Sequence, residues 1–124
     1  MKLSTLDLPL AICRLDAGAA IPAWATAGPL WSVTRTVEEV SIVCDEAAVP
    51  QGVRAGRGWR ALAVEGPMDL STTGVLASIA GPLAAAGISL FAVSTFDTDY
   101  ILVPAGRLIE AADALIAAGH EVAR

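Results

Sequence analysis

Two short polar segments in the second half of the chain carry groups that could bind a small charged molecule. Residues 94–99 (STFDTD) hold two carboxylates, whose oxygens are acceptors for an ammonium group. Residues 71–74 (STTG) precede a helical pattern, so they predict a helix opening with hydroxyls and free backbone N–H groups that favour an anion. Together the two segments offer what the carboxylate and the ammonium group of an amino acid need.

Each segment also has a simpler interpretation. An Asp-x-Asp sequence between two strands often solvates a hairpin turn, and Ser71 or Asp69 can be a plain helix N-cap. Catalysis is a third alternative, but no histidine, lysine or further carboxylate occurs nearby to tune Asp97 and Asp99 as acid and base. The single histidine, His120, follows a glycine at a predicted helix end and does not indicate a metal site. The sequence therefore predicts a protein that is not an enzyme and holds no cofactor.

The composition of the chain argues against some classes of binding partner. The chain has 124 residues, of which 55% are hydrophobic, so it can bury a substantial core. Thirteen acidic and eight basic side chains give a net charge of −5, which argues against binding to nucleic acid or anionic lipid. Cys13 and Cys44 lie in apolar, strand-like runs and are predicted to be buried free thiols. The N-terminal residues do not read as a signal peptide, so a cytoplasmic location is expected.

A long uncharged run, residues 70–96, could span a bilayer by its length alone. Glycines, a proline and several hydroxyl side chains interrupt it, and its pattern changes from helical to strand-like. The run therefore predicts a helix followed by a strand in a soluble protein, without a membrane partner.

The second half of the chain has the order strand, helix, strand, strand, helix, strand. This order predicts a four-stranded antiparallel sheet with both helices on one face. The first helix is expected to start near Ser71 and to be kinked at Pro82. The expected strands are residues 59–65, 88–95, 100–103 and 120–123, and the expected helices are residues 71–86 and 108–118.

The first half follows the same order with a shorter first crossover. Strands are expected at residues 8–15, 31–36 and 40–44, with at most single turns at 21–29 and 45–49. A glycine-rich segment, residues 50–58, is interpreted as the linker. The predicted fold class is therefore α+β, with two tandem ferredoxin-like βαββαβ units at 1–58 and 59–124, the first with shortened helices.

An internal repeat supports this division. Residues 32–43 can be aligned with residues 92–103, which pairs Val33 with Val93 and Glu39 with Asp99. A duplicated unit in a short chain predicts that a ligand lies between the halves or across a dimer interface.

Residues 31–44 (WSVTRTVEEVSIVC), residues 58–103 and the βαββαβ order together resemble the ACT-domain family, in particular its small bacterial tandem members. The resemblance covers residues 8–118 and is most specific over 59–103. It implies a regulatory module that binds an amino acid or a similar small effector, usually at an interface between two modules, and a homodimer. The alternative is a structural assembly module with no ligand, in which residues 88–93 bury an apolar face.

The resemblance also points to particular positions. Gly74 and Val75 match the glycine and aliphatic residue at which a ligand approaches the backbone, and Thr95, Phe96 and Asp99 match ligand contacts of arginine-sensing relatives. Those relatives carry an acidic residue just before the helix glycine, where this chain has Thr72 or Thr73, so a cationic ligand would lose one counter-charge. The candidate ligand-binding residues are Asp69, Thr72, Thr73, Gly74, Val75, Ser94, Thr95, Phe96 and Asp99.

Overall fold

The computed structural model describes residues 1–69 and 71–124; Leu70, the first residue of the uncharged run, lies outside the described residues. The chain divides into two compact units, which we call unit 1 (Met1–Asp7 and Arg60–Arg124) and unit 2 (Leu8–Trp59). The expected boundary near residue 58 is close to this division. The first seven residues, however, belong with the C-terminal part, so unit 2 is inserted into unit 1.

The secondary structure mixes strands with few helices. The strands are β1 (Lys2–Thr5), β2 (Leu10–Asp16), β3 (Ser32–Arg35), β4 (Glu39–Asp45), β5 (Ala55–Val64), β6 (Phe91–Ser94), β7 (Asp99–Pro104) and β8 (Glu121–Ala123). The helices are α1 (Val75–Ala85) and α2 (Leu108–Ala117), and 3₁₀ turns occupy Ala23–Thr26, Glu46–Ala48 and Ala105–Arg107.

Unit 2 has its strands in the order β3, β4, β2 and the first part of β5. Both of its crossovers contain only a 3₁₀ turn, as the short spacing predicts, since too few residues remain for an α-helix. Its core includes Cys13 and Cys44, which are buried and free. Burial raises the pKa of both thiols, that of Cys44 to about 11. Strand β5 begins inside the segment expected to be a linker.

Unit 1 has a fifth strand that the sequence pattern did not predict. Strand β1 pairs antiparallel with β5 and parallel with β8, so it lies between the first and last strands of the expected four-stranded sheet. The order within unit 1 is β8, β1, β5, β7, β6. The prediction of a purely antiparallel four-stranded sheet is therefore wrong in this respect.

Both helices of unit 1 pack on the same face of its sheet. One apolar cluster contains buried side chains from both helices and from three strands, including Leu3 of β1. Ile79, Leu83 and Leu115 are fully buried within it. Burying side chains of this size stabilises the folded state by about 1.5–3 kcal/mol each, so this cluster fixes α1 against the strands.

Helix α1 starts four residues later than expected. Asp69 accepts hydrogen bonds from the backbone N–H and the hydroxyl of Ser71, both at 3.0 Å, and so forms a turn before the helix. The N-cap is Gly74, with φ of 77°, a left-handed conformation that favours glycine. The helix ends where expected: Gly87, also left-handed, follows the C-cap, and the N–H of Ile88 donates to the carbonyl of Leu83.

Pro82 lies inside α1 and has no N–H to donate to the carbonyl of Ser78. The ring Nε2 of His120, just before β8, is 3.0 Å from that carbonyl oxygen. An imidazole N–H therefore replaces the missing backbone donor, and this explains how the helix accommodates the proline.

This arrangement predicts that His120 and Pro82 are energetically coupled. Replacing His120→Ala should lower the free energy of unfolding by about 1 kcal/mol more in the wild type than in a Pro82→Ala background, where residue 82 regains its N–H. Urea unfolding of the four proteins of this double-mutant cycle measures the difference. Additive effects of the two substitutions would contradict the coupling.

Within the described residues, no helix is long and apolar enough to cross a membrane.

Candidate functional site

One wall of the candidate site is the turn between β6 and β7, residues 95–98. The backbone N–H of Thr95 donates to the carbonyl of Thr98 at 2.8 Å, and the N–H of Thr98 donates to the hydroxyl of Thr95 at 3.2 Å. The two threonines thus close the turn. The hydrogen bonds that close the turn in the described part of the chain do not involve the carboxylates of Asp97 and Asp99, which are therefore available to water or to a ligand.

The opposite wall is the loop between β5 and α1, which is attached directly to that turn. The N–H of Met68 donates to the carbonyl of Asp97 at 2.6 Å, and the hydroxyl of Thr98 donates to the carbonyl of Val64. Gly66 lies so close that an added Cβ would be 2.8 Å from the carbonyl oxygen of Asp97. These contacts fix the spacing between the two walls.

Between the walls lies a cleft of about 310 Å³, within the size range of small-molecule sites. Eight of the nine candidate residues line it, and Thr73 does not. Sequence reasoning missed some of the wall, although Asp97 and Thr98 belong to the segment it had singled out. The described lining residues are Met68, Asp69, Thr72, Gly74, Val75, Leu76, Ala77, Ser94, Thr95, Phe96, Asp97, Thr98 and Asp99.

Hydrogen-bond donors in the cleft come from the start of α1. Gly74 makes no side-chain cap, and the first bond of the helix runs from the N–H of Ser78 to the carbonyl of Gly74 at 3.0 Å. The N–H groups of Val75, Leu76 and Ala77 therefore have no helical acceptor. All three residues line the cleft, so a ligand carboxylate has donors and the positive end of the helix dipole available there.

Acceptors come from three carboxylates. Asp69 is exposed, and the hydrogen bonds from the backbone and hydroxyl of Ser71 hold its pKa below the usual value. Asp97 lies at the tip of the turn, and Asp99 is the first residue of β7, opposite Ser94. Because the described lining residues include no lysine, arginine or histidine, the cleft has a negative potential that favours a cationic group.

Apolar side chains form the rim. Phe96 is 75% exposed at the tip of the turn, and Leu76 is 40% exposed in the first turn of α1. Both line the cleft, where they could cover the aliphatic part of a ligand.

The structure corrects the alignment of the internal repeat. In unit 2 the N–H of Thr36 donates to the carbonyl of Glu39 at 2.9 Å, as the N–H of Thr95 does to the carbonyl of Thr98 in unit 1. The repeat offset at these turns is therefore 59 positions, one fewer than the sequence alignment assumed. Glu39 corresponds to Thr98, and the residue that corresponds to Asp99 is the buried Val40.

The chain is similar to known proteins in sequence and in fold. A family model described as "ACT domain" matches residues 54–117, and a second model, described as an N-terminal domain, matches residues 9–52. The "Cytosolic arginine sensor for mTORC1 subunit 1" of Homo sapiens is 47% identical over 51 residues. That match covers 40% of this chain and only 16% of the sensor.

Solved structures resemble the chain over nearly its whole length. Protein Atu0741 from Agobacterium tumefaciens has a TM-score of 0.92 and 45% identity, and the match covers 98% of this chain and 90% of that one. The regulatory subunit of aspartate kinase from Thermus thermophilus has a TM-score of 0.61 at 16% identity, covering 92% and 95% of the two chains. The second likeness concerns the fold alone.

Proposed function

The chain belongs to the ACT-domain family, and on that premise we propose that it is a non-catalytic regulatory protein that binds an amino acid or a similar small effector in the cleft of unit 1. The observation that carries the proposal is the lining of that cleft. It combines free N–H groups at the start of α1 with carboxylates on the facing turn, which matches the two charged groups of an amino acid.

The charge of the cleft favours a ligand with a cationic group. Thr72 and Thr73 stand where arginine-sensing relatives have an acidic residue, so that counter-charge is absent. Asp69 and Asp97 line the same cleft and supply negative charge nearby. This supports arginine or a similar cationic amino acid, the ligand class named for the sensor that resembles residues of this chain.

Further features belong to the same proposal. We infer that Leu8–Trp59 and Arg60–Arg124 are tandem ferredoxin-like βαββαβ units and that β1 is an addition to the second of them, because unit 2 keeps the strand order of that fold although its helices are reduced to 3₁₀ turns. The protein is expected to be cytoplasmic, to form a homodimer and to alter the activity of a protein partner when its ligand binds.

A second candidate function is a structural assembly module. Helix α1 and strand β6 contain no charged residue, although α1 exposes Leu76, Ala77, Gly81 and Ala84. A strand such as β6, with neither charge nor proline, lacks the usual protection of a sheet edge against pairing. Such a surface would serve assembly whether or not a ligand is bound.

A thermal-shift screen with the twenty amino acids tests the proposed function. A ligand present at one hundred times its dissociation constant stabilises the native state by about 2.7 kcal/mol. For a chain of this size the Tm should then rise by about 8–13 °C. The assembly module predicts no rise with any amino acid and, instead, a change from dimer to monomer in Ala84→Glu, which sedimentation velocity detects. The absence of any amino-acid-dependent rise would reject amino-acid binding.

A further inference from the structure

The two hairpins provide an internal comparison within one chain. With the offset of 59 positions, Thr36 corresponds to Thr95, and both side-chain hydroxyls accept a backbone N–H of their own turn. The last residue before each turn then differs sharply. It is Arg35 in unit 2 and Ser94 in unit 1, where the serine lines the cleft.

Arg35 reaches across to the loop that follows the first strand of its unit. Its guanidinium Nη2 donates to the carbonyl of Ala19 at 2.6 Å. In unit 1 the corresponding loop, after β5, forms the wall that faces Ser94. The arginine side chain therefore crosses a space in unit 2 whose counterpart in unit 1 is the open cleft.

A second pair of contacts supports the comparison. In unit 1 the carbonyl of Asp97 accepts the N–H of Met68 from the longer loop. The corresponding carbonyl in unit 2 is that of Glu38, which accepts a hydrogen bond from the guanidinium of Arg14 at 3.1 Å. Unit 2 lacks the loop residues of unit 1, and arginine side chains supply the donors in their place.

We propose that unit 2 contains a closed counterpart of the cleft, in which the side chain of Arg35 takes the place that the cationic group of a ligand takes in unit 1. The inference rests on the proposed function for the identity of the cleft as a site. It adds that each chain binds one ligand and that the cleft of unit 1 accepts a group with the charge and the donors of a guanidinium.

The side chains around Ser94 carry the negative charges that a guanidinium group requires. Asp69, Asp97 and Asp99 line the cleft with it, and no basic side chain occurs among the described lining residues. An arginine introduced at position 94 should therefore find carboxylate partners, as Arg35 finds the carbonyl of Ala19. Ser94 is exposed at the end of β6, so a longer side chain can enter without disturbing the core.

The test compares the ligand-free variants Ser94→Arg and Ser94→Met, which have side chains of similar length but different charge. Ser94→Arg should melt about 2–6 °C higher than Ser94→Met in low salt, because its guanidinium gains charge-assisted hydrogen bonds. The difference should shrink in 0.5 M NaCl, which screens partly exposed charges. Equal melting temperatures, or a lower one for Ser94→Arg, would overturn the proposal.

Ligand stoichiometry separates this inference from the proposed function. Calorimetric titration of the wild type with L-arginine should give one equivalent per chain, and two equivalents would overturn the closed counterpart while leaving the regulatory function intact. A screen in which no amino acid binds would reject amino-acid binding, and the melting comparison of the position-94 variants would still decide whether the cleft accepts a guanidinium group.

Discussion

Replacing Asp99→Asn should weaken ligand binding ten- to a hundredfold while leaving the unfolding free energy of the ligand-free protein almost unchanged. The substitution keeps the shape of the side chain and removes its charge. If the carboxylate holds a ligand ammonium or guanidinium, the lost charge-assisted hydrogen bond costs about 1.5–3 kcal/mol. Calorimetric titration of both proteins with the best ligand from the amino-acid screen measures the change.

A loss of affinity in Asp99→Asn can be attributed to the ligand contact, because the turn between β6 and β7 does not depend on Asp99. Thr95 and Thr98 close the turn, and within the described residues no hydrogen bond to the Asp99 carboxylate occurs. Asp113→Asn is a suitable control, since Asp113 on α2 pairs with Arg124 and does not line the cleft. Unaltered affinity in Asp99→Asn would remove Asp99 from the site, and a lower Tm without ligand alongside it would show that the carboxylate has a structural role instead.

Replacing Gly66→Ala should separate the two walls of the cleft. The added Cβ would lie 2.8 Å from the backbone carbonyl oxygen of Asp97 and 3.3 Å from the Cβ of Thr98. A backbone atom cannot rotate away, so the loop or the turn must shift and the hydrogen bond from Met68 weakens. We expect a loss of about 1–3 kcal/mol in the free energy of unfolding, and at least a tenfold loss of affinity because the donors and acceptors move apart.

Gly106→Ala is the matched control, because nothing lies within 4 Å of its added Cβ and its φ is not positive. It should change the unfolding free energy by less than about 0.5 kcal/mol and leave affinity unchanged. Denaturant unfolding and titration of both variants give the comparison. Gly66→Ala protein that binds its ligand as tightly as Gly106→Ala would show that the spacing of the walls does not control binding.

Local patterns predicted the elements that depend on neighbouring residues. The polar turn at 95–98, the left-handed Gly87 after α1 and the two 3₁₀ turns of unit 2 follow from glycine positions, turn chemistry and crossover length. Local patterns did not predict that the helix is capped by Gly74, because the carboxylate of Asp69 forms a turn that includes Ser71. Ser71, Thr72 and Thr73 all carry hydroxyls that could cap a helix N-terminus. The tertiary fold places the N-cap at Gly74 instead.

The sequence also did not predict which strands pair when they are far apart in the chain. Strand β1 is four residues long and pairs Lys2 with Glu121, so no local pattern announces it. The one-residue error in the repeat arose for a related reason. The apolar runs at 42–44 and 101–103 can be aligned with an offset of either 59 or 60 positions. The hydrogen bonds of Thr36 and Thr95 were needed to set the offset. The residues of the candidate cleft were less affected, because they follow strands whose ends the pattern predicted.

The insertion of unit 2 into unit 1 has a consequence for how the protein is made. Strand β1 is synthesised before unit 2 and its parallel neighbour β8 after it, roughly 6–25 s later at ordinary elongation rates. Unit 2 is contiguous, from Leu8 to Trp59, and can fold while translation continues. Unit 1 can be completed only after β8 has been synthesised, so a translation product truncated before β8 would retain unit 2 and lack a complete unit 1.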